Sequence, residues 1–132
     1  MAEEVKIQIG SAMPLDEPLT MEVRGRDATT GMPKSMVLSS NDLVEAFKPA
    51  ITLIIQAIKS VLEKTPPELS SDIIDRGIVL SGGSSMLRSL DILLTKAIGV
   101  PFHVPEEPIF SVVKGTGIAL RHFEVLENIV IK

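Results

Sequence analysis

Five consecutive small residues, Ser81-Gly82-Gly83-Ser84-Ser85, are the part of this sequence best suited to chemistry. Glycines at the carboxyl end of a strand let backbone approach a ligand, and free amides at the start of the next helix attract anions, which points to a phosphate or nucleotide. The pattern is neither G-x-x-x-x-G-K-[ST] nor G-x-G-x-x-G. Gly-Gly turns also serve tight packing, so on the turn alone both readings stand and packing is the commoner. Gly115-Thr116-Gly117 is a second candidate for close approach, again with tight helix packing as the alternative.

The other chemistry-bearing types read blandly. Ser84 and Ser85 have no histidine close in sequence and no G-x-S-x-G elbow, so they suit helix N-caps rather than nucleophiles. His103 sits on the polar face of a proline-bounded strand and His122 near a helix end beside Arg121, neither with a ligand partner in view. The adjacent acids Glu106-Glu107 and Asp16-Glu17 point apart and fit a helix start and an exposed turn. No catalytic residue and no metal-ligand set is assigned.

Composition narrows the classes further. The 132 residues carry 13 Lys+Arg against 17 Asp+Glu, no cysteine, and four Phe as the only aromatics. That is one domain, large enough for a proper core. Disulfides and thiolate metal sites are excluded, and a reducing compartment suits the chain. A net charge of −4 opposes a nucleic-acid footprint. No apolar run reaches the ~20 residues of a membrane span, and Met1-Ala2-Glu3-Glu4 is acidic where a signal peptide is basic, so a soluble, cytoplasmic protein is expected.

Periodicity gives the elements that must position the glycine turn. Val5, Ile7 and Ile9 alternate with polar residues as in a strand, although Val5 and Ile9 also share a helical face. After a turn-rich stretch from Gly10 to Pro18, alternation at Leu19, Met21 and Val23 and again at Met36 and Leu38 predicts a hairpin over 19–39, with Gly31 at positive φ in its turn. Ser39-Ser40-Asn41-Asp42 supplies N-caps, and Pro49 splits the helical region in two. Ile51, Ile54, Ile55, Ile58, Val61 and Leu62 then form a stripe that reads as core, leaving the hairpin as the better interaction candidate.

A short helix over Glu68–Asp75 leads to Gly77-Ile78-Val79-Leu80, an apolar run expected of a strand buried on both faces. Behind the glycine turn, Leu87, Leu90, Leu94, Ala97 and Ile98 repeat with helical spacing up to Gly99. Val100, Phe102 and Val104, between prolines, predict an edge strand. Glu106-Glu107-Pro108 opens a last helix bearing Ile109, Val112, Val113, Leu120 and Phe123.

Longer runs carry a resemblance. Met21-Glu22-Val23-Arg24-Gly25-Arg26-Asp27, the stretch from Lys59 to Leu69, and Asp72-Ile73-Ile74-Asp75-Arg76-Gly77-Ile78-Val79-Leu80 resemble the MreB family of bacterial actins. The resemblance continues through Gly82-Gly83-Ser84-Ser85-Met86-Leu87-Arg88 and Gly115-Thr116-Gly117-Ile118-Ala119-Leu120, and covers nearly the whole chain. A heat-shock chaperone or sugar kinase of the actin superfamily would share Gly82-Gly83 but not the first two runs.

That resemblance implies an α/β, actin-like ATPase (ribonuclease H-like) fold, and within it the second lobe. Residues 1–9 would be the truncated end of a nucleotide-side helix, which overrides the alternation read there and implies a frayed end. Residues 10–48 would be a small hairpin-plus-helix subdomain IIB, residues 49–127 a subdomain IIA with a mixed sheet and packed helices, and 128–132 a tail. Glu3, Glu4, Val5 and Lys6 match the family segment along adenine and ribose; Gly82, Gly83, Ser84, Ser85 and Met86 match the turn contacting adenosine and the first phosphate, Ser84 replacing a glycine often seen.

The implied ligand is ATP, with Mg supplied in the full-length protein. The family's phosphate-binding hairpins, magnesium aspartate and water-positioning carboxylate lie upstream of these residues, so the chain alone is expected to be inactive as an ATPase and to bind nucleotide weakly at best. Whether it is an excised lobe or a short gene product stays open. The resemblance further implies ATP-dependent filaments under the inner membrane that direct cell shape and cell-wall synthesis, with full-length copies and cell-shape proteins such as RodZ as partners and the membrane reached only indirectly. The alternative is a non-enzymatic, RodZ-docking module with no nucleotide of its own.

Overall fold

Val5 and Ile9 lie one helical turn apart, and in the computed structural model, which describes residues 1–122, they are the buried side of α1 (Ala2–Ile9). The helix implied by resemblance therefore forms in place of the strand that alternation suggests. Glu3 and Glu4 in its first turn and Lys6 in its last suit the helix dipole.

The hairpin follows its sequence signals. β1 (Thr20–Arg26) and β2 (Pro33–Ser39) pair antiparallel, with Met21 opposite Leu38 and Val23 opposite Met36 on one face. At the tip Asp27 accepts the amides of Thr29 and Thr30 and pairs with Lys34, while Gly31 takes the expected positive φ. The two amides first, and the Lys34 ammonium after them, hold the Asp27 carboxyl below its ordinary range.

α2 (Ser40–Glu63) starts at a capping box, in which the Ser39 hydroxyl accepts the Asn41 amide and the Asp42 carboxylate accepts the Ser39 amide. Two pieces broken at Pro49 are predicted; one helix of 24 residues is found, with Pro49 inside it. A mid-helix proline costs about 3 kcal/mol. Phe47, Ile51, Ile55 and Ile58 offset it, because they form one stripe on the core that begins before the proline and continues past it. The start of α2 also secures the preceding loop: the Ser40 hydroxyl accepts the Leu19 amide, and the Asn41 side chain bonds both the amide and the carbonyl of Leu15.

After α3 (Pro67–Arg76), β3 (Ile78–Val79) pairs in parallel with β4 (Phe102–His103). Ile78 and Leu80 join the core made by Ala12, Ile51, Leu90, Leu94 and Phe102. Val79 does not: it is 66% exposed, so β3 is buried on one face, not on both as its unbroken apolar run predicts. Among the described residues this sheet has two strands, and no described element covers the Val79 side.

The helix predicted from Leu87 also begins later. Gly83–Met86 is a turn of 3-10 helix, and α4 (Leu90–Ile98) follows it. Leu87 is extended instead, and Arg88 makes a parallel bridge with Ser11, an alternative use of backbone that postpones the helix by three residues. Gly99 ends α4 in the left-handed conformation, as expected. The last helix likewise opens late: Pro108–Phe110 is a 3-10 turn and α5 (Ser111–Arg121) comes after it. The Pro108 carbonyl is already committed to the amides of Gly82 and Ser111. Ile109, Val112, Val113 and Leu120 are all exposed, while Phe123 and the 128–132 tail lie outside the described residues.

Candidate functional site

Gly82 has φ 85 and ψ 170, a region essentially reserved for glycine, so local backbone geometry explains its type. Gly83 is different. Its φ is not positive, and a Cβ built on it meets nothing within 4 Å. Among the described residues neither strain nor a neighbouring atom requires glycine there, which leaves an open surface.

The turn is held from below. The Gly82 amide donates to the Pro108 carbonyl at 2.8 Å, and the Ser85 hydroxyl donates back to the Gly82 carbonyl at 2.6 Å. Ser85 is thus buried and its hydroxyl spent, and neither serine caps α4, whose N-cap is Ser89. Among the described residues the amides of Gly83 and Ser84 have no acceptor. Two amides without acceptors on an open surface suit an anion such as a phosphate.

The second segment lies beside the first. The Arg88 guanidinium donates to the carbonyls of Ile7 and Gly10, each at 3.3 Å, and its own carbonyl accepts the Ala12 amide at 2.8 Å. The end of α1 is therefore tied to the residues that leave the glycine turn. On α1, Glu3 and Lys6 form an ion pair at 2.6 Å with both side chains substantially exposed, and Glu4 is exposed as well. Val5 is 5% exposed and packs inward, so its side chain is unavailable to a ligand. Met86 is exposed.

Of the nine residues singled out from sequence, the structure leaves Glu3, Glu4, Lys6, Gly82, Gly83, Ser84 and Met86 accessible and takes Val5 and Ser85 into the interior. Gly115 and Gly117 lie on α5, where a built Cβ meets nothing within 4 Å among the described residues. Sequence reading did not identify Arg88 as the link between α1 and the residues after the glycine turn. The signal available was a lone cation just after the glycine turn. Among the described residues no cluster of three metal-ligating side chains occurs, and no helix is long and apolar enough to cross a membrane.

Comparison with known proteins points in one direction. The family model described as MreB/Mbl protein matches residues 1–128. The chain is 43% identical to the cell shape-determining protein Mbl of Bacillus cereus over 95% of its own length, and 45% identical to the cell shape-determining protein MreB of Escherichia coli over 94%. It covers 38% and 36% of those relatives, a little over a third. The crystal structure of MreB 5 of Spiroplasma citri bound to AMPPNP superposes with a TM-score of 0.88 at 31% identity, over 96% of this chain and 38% of that one. The same protein bound to ADP gives 0.89.

Proposed function

The chain belongs to the MreB/Mbl family of cell shape-determining proteins and has its actin-like α/β fold, and we propose that it supplies the adenosine-contacting face of a nucleotide cleft. The observation that carries this reading is Gly83: a glycine with no conformational or steric need for one, beside two amides without acceptors. The relatives' bound nucleotides, AMPPNP and ADP, are of the chemistry such a surface accepts. In this reading Gly83 and Ser84 amides receive a phosphate, and Glu3, Glu4 and Lys6 line the nucleoside. Magnesium and the groups that position water for hydrolysis come from outside this stretch, so nucleotide contact here is weak and noncatalytic.

The proposal extends to assembly. Residues 10–48 act as the IIB-like part, with the hairpin available for filament contacts, and 49–127 as the IIA-like part, α2 running through the boundary between them. The protein works in the cytoplasm as part of ATP-dependent filaments along the inner membrane, pairing with full-length copies. A second reading, a RodZ-docking module that needs no nucleotide, is favoured by the exposed apolar side chains Val112, Val113 and Leu120 on α5.

Amide NMR spectra recorded while titrating Mg·ATP test the first reading. Shifts confined to Lys6, Gly82, Gly83 and Gly115, abolished by Gly83→Asp, are expected, because a carboxylate there repels phosphate. A folded spectrum that ATP leaves unchanged, with RodZ retained in a pull-down before and after Gly83→Asp, selects the docking module.

A further inference from the structure

Among the described residues Arg88 is the side chain that hydrogen-bonds across the two halves of the proposed site. It projects from the segment leaving the glycine turn and places a cation on the carbonyls of Ile7 and Gly10, at the negative end of the α1 dipole. Its backbone adds the Ala12 amide bond and the Ser11 bridge, so side chain and main chain together grip the stretch from Ile7 to Ala12. Leu87 packs against that stretch too, 3.2 Å from where a Gly10 Cβ would lie. α1 is otherwise held by the buried Val5 and Ile9 and by its packing on β1, while its cap residue Met1 makes no side-chain bond. Beyond Ile9 the chain passes to the loop that Asn41 and Ser40 hold at the head of α2.

We propose that Arg88 is a positioning residue that sets α1 against the glycine turn, so that Glu3, Glu4 and Lys6 meet the nucleoside while Gly83 and Ser84 meet phosphate. The proposal rests on the nucleotide reading and adds a specific division of labour. Phosphate recognition needs only the turn. Nucleoside recognition needs the clamp as well.

The test measures binding of Mg·ADP and of inorganic tripolyphosphate to the wild-type chain, Arg88→Ala and Arg88→Lys. Arg88→Ala weakens ADP about tenfold, the factor one charge-assisted hydrogen bond is worth, and leaves tripolyphosphate within twofold. Arg88→Lys, which keeps a cation and donors at the helix end, recovers ADP binding to within about threefold. Equal loss of both ligands, as from a general disruption of the fold, overturns the proposal; so does no loss of either. If the wild-type chain binds neither ligand, the nucleotide reading fails, and hydrogen exchange judges the clamp alone. Faster exchange of the Gly10 amide in Arg88→Ala, with Leu94 unchanged, upholds it, and an unchanged Gly10 amide refutes it.

Discussion

Alanine placed in turn at Gly77, Gly82 and Gly83 should give three different costs, because the three glycines are glycine for three different reasons. Gly77 has φ 78 and ψ −172, and Gly82 has nearly the same pair, in a region where a side chain costs about 1–3 kcal/mol. Alanine regains about 0.4–1 kcal/mol by restricting the unfolded chain. At Gly82 nothing else intervenes, so the net loss is about 1–2 kcal/mol.

At Gly77 the new Cβ would also lie 2.6 Å from the Pro101 carbonyl oxygen and 2.9 Å from His103 Nε2. His103 can swing away, but that carbonyl accepts the Ile78 amide at 2.8 Å in the β3–β4 pairing. Displacing it adds overpacking and a weakened hydrogen bond, about 1–3 kcal/mol, for a total near 3–4 kcal/mol. Gly83→Ala meets neither strain nor contact and should be neutral or slightly stabilising. Urea unfolding reads all three: with a slope of about 1.5 kcal/mol/M, midpoints fall by about 2 M for Gly77→Ala and about 1 M for Gly82→Ala, and do not fall for Gly83→Ala. Equal losses at 77 and 82, or a fall of 1 M at 83, would refute the reasoning, and the latter would also remove the argument for an open surface.

Three further outcomes are expected. The Asp27 carboxyl is held low by the Thr30 and Thr29 amides and then by Lys34, so its contribution to the hairpin tip is complete above about pH 4, the unfolded value, and lost as pH falls through the lower folded one. Protection of the Thr29 and Thr30 amides, taken relative to their intrinsic exchange rates, should fall selectively on acidification; tip protection unchanged down to pH 2 contradicts this. Pro49→Ala should stabilise the chain by about 1–2 kcal/mol by restoring a bond inside a continuous α2, whereas two separate helical pieces would gain nothing. Ser39→Ala should lower stability by about 1 kcal/mol through loss of the hydroxyl that accepts the Asn41 amide, read as a fall in thermal midpoint; an unchanged midpoint contradicts this.

The features legible in the sequence are those that nearest neighbours decide. The N-cap residues at Ser39–Asp42, the hairpin with Gly31 in its turn, the short helix around Glu68–Asp75 and the Gly99 stop of α4 all depend on residues within a few positions of each other, so spacing alone exposes them. The long runs around Gly25, Pro66 and Gly77 likewise disclosed the family without any structure.

Where reading failed, distant parts of the chain had outbid a local preference. Pro49 stays inside α2 because Phe47 and Ile51 share a core face across it; Leu87 stays extended because Arg88 pairs with Ser11, 77 positions away. Val79 has the type of a doubly buried residue and the exposure of a surface one, since burial depends on what lies opposite and not on the residue itself. The sequence by itself determined the glycine turn and its family; only the tertiary structure decided that Gly83 is open, that Val5 and Ser85 are withdrawn, and that an arginine 81 residues from Ile7 holds α1 in place. Hydrogen bonds at such separation leave no period or spacing in a sequence, because their partners meet only after the loops between them have closed.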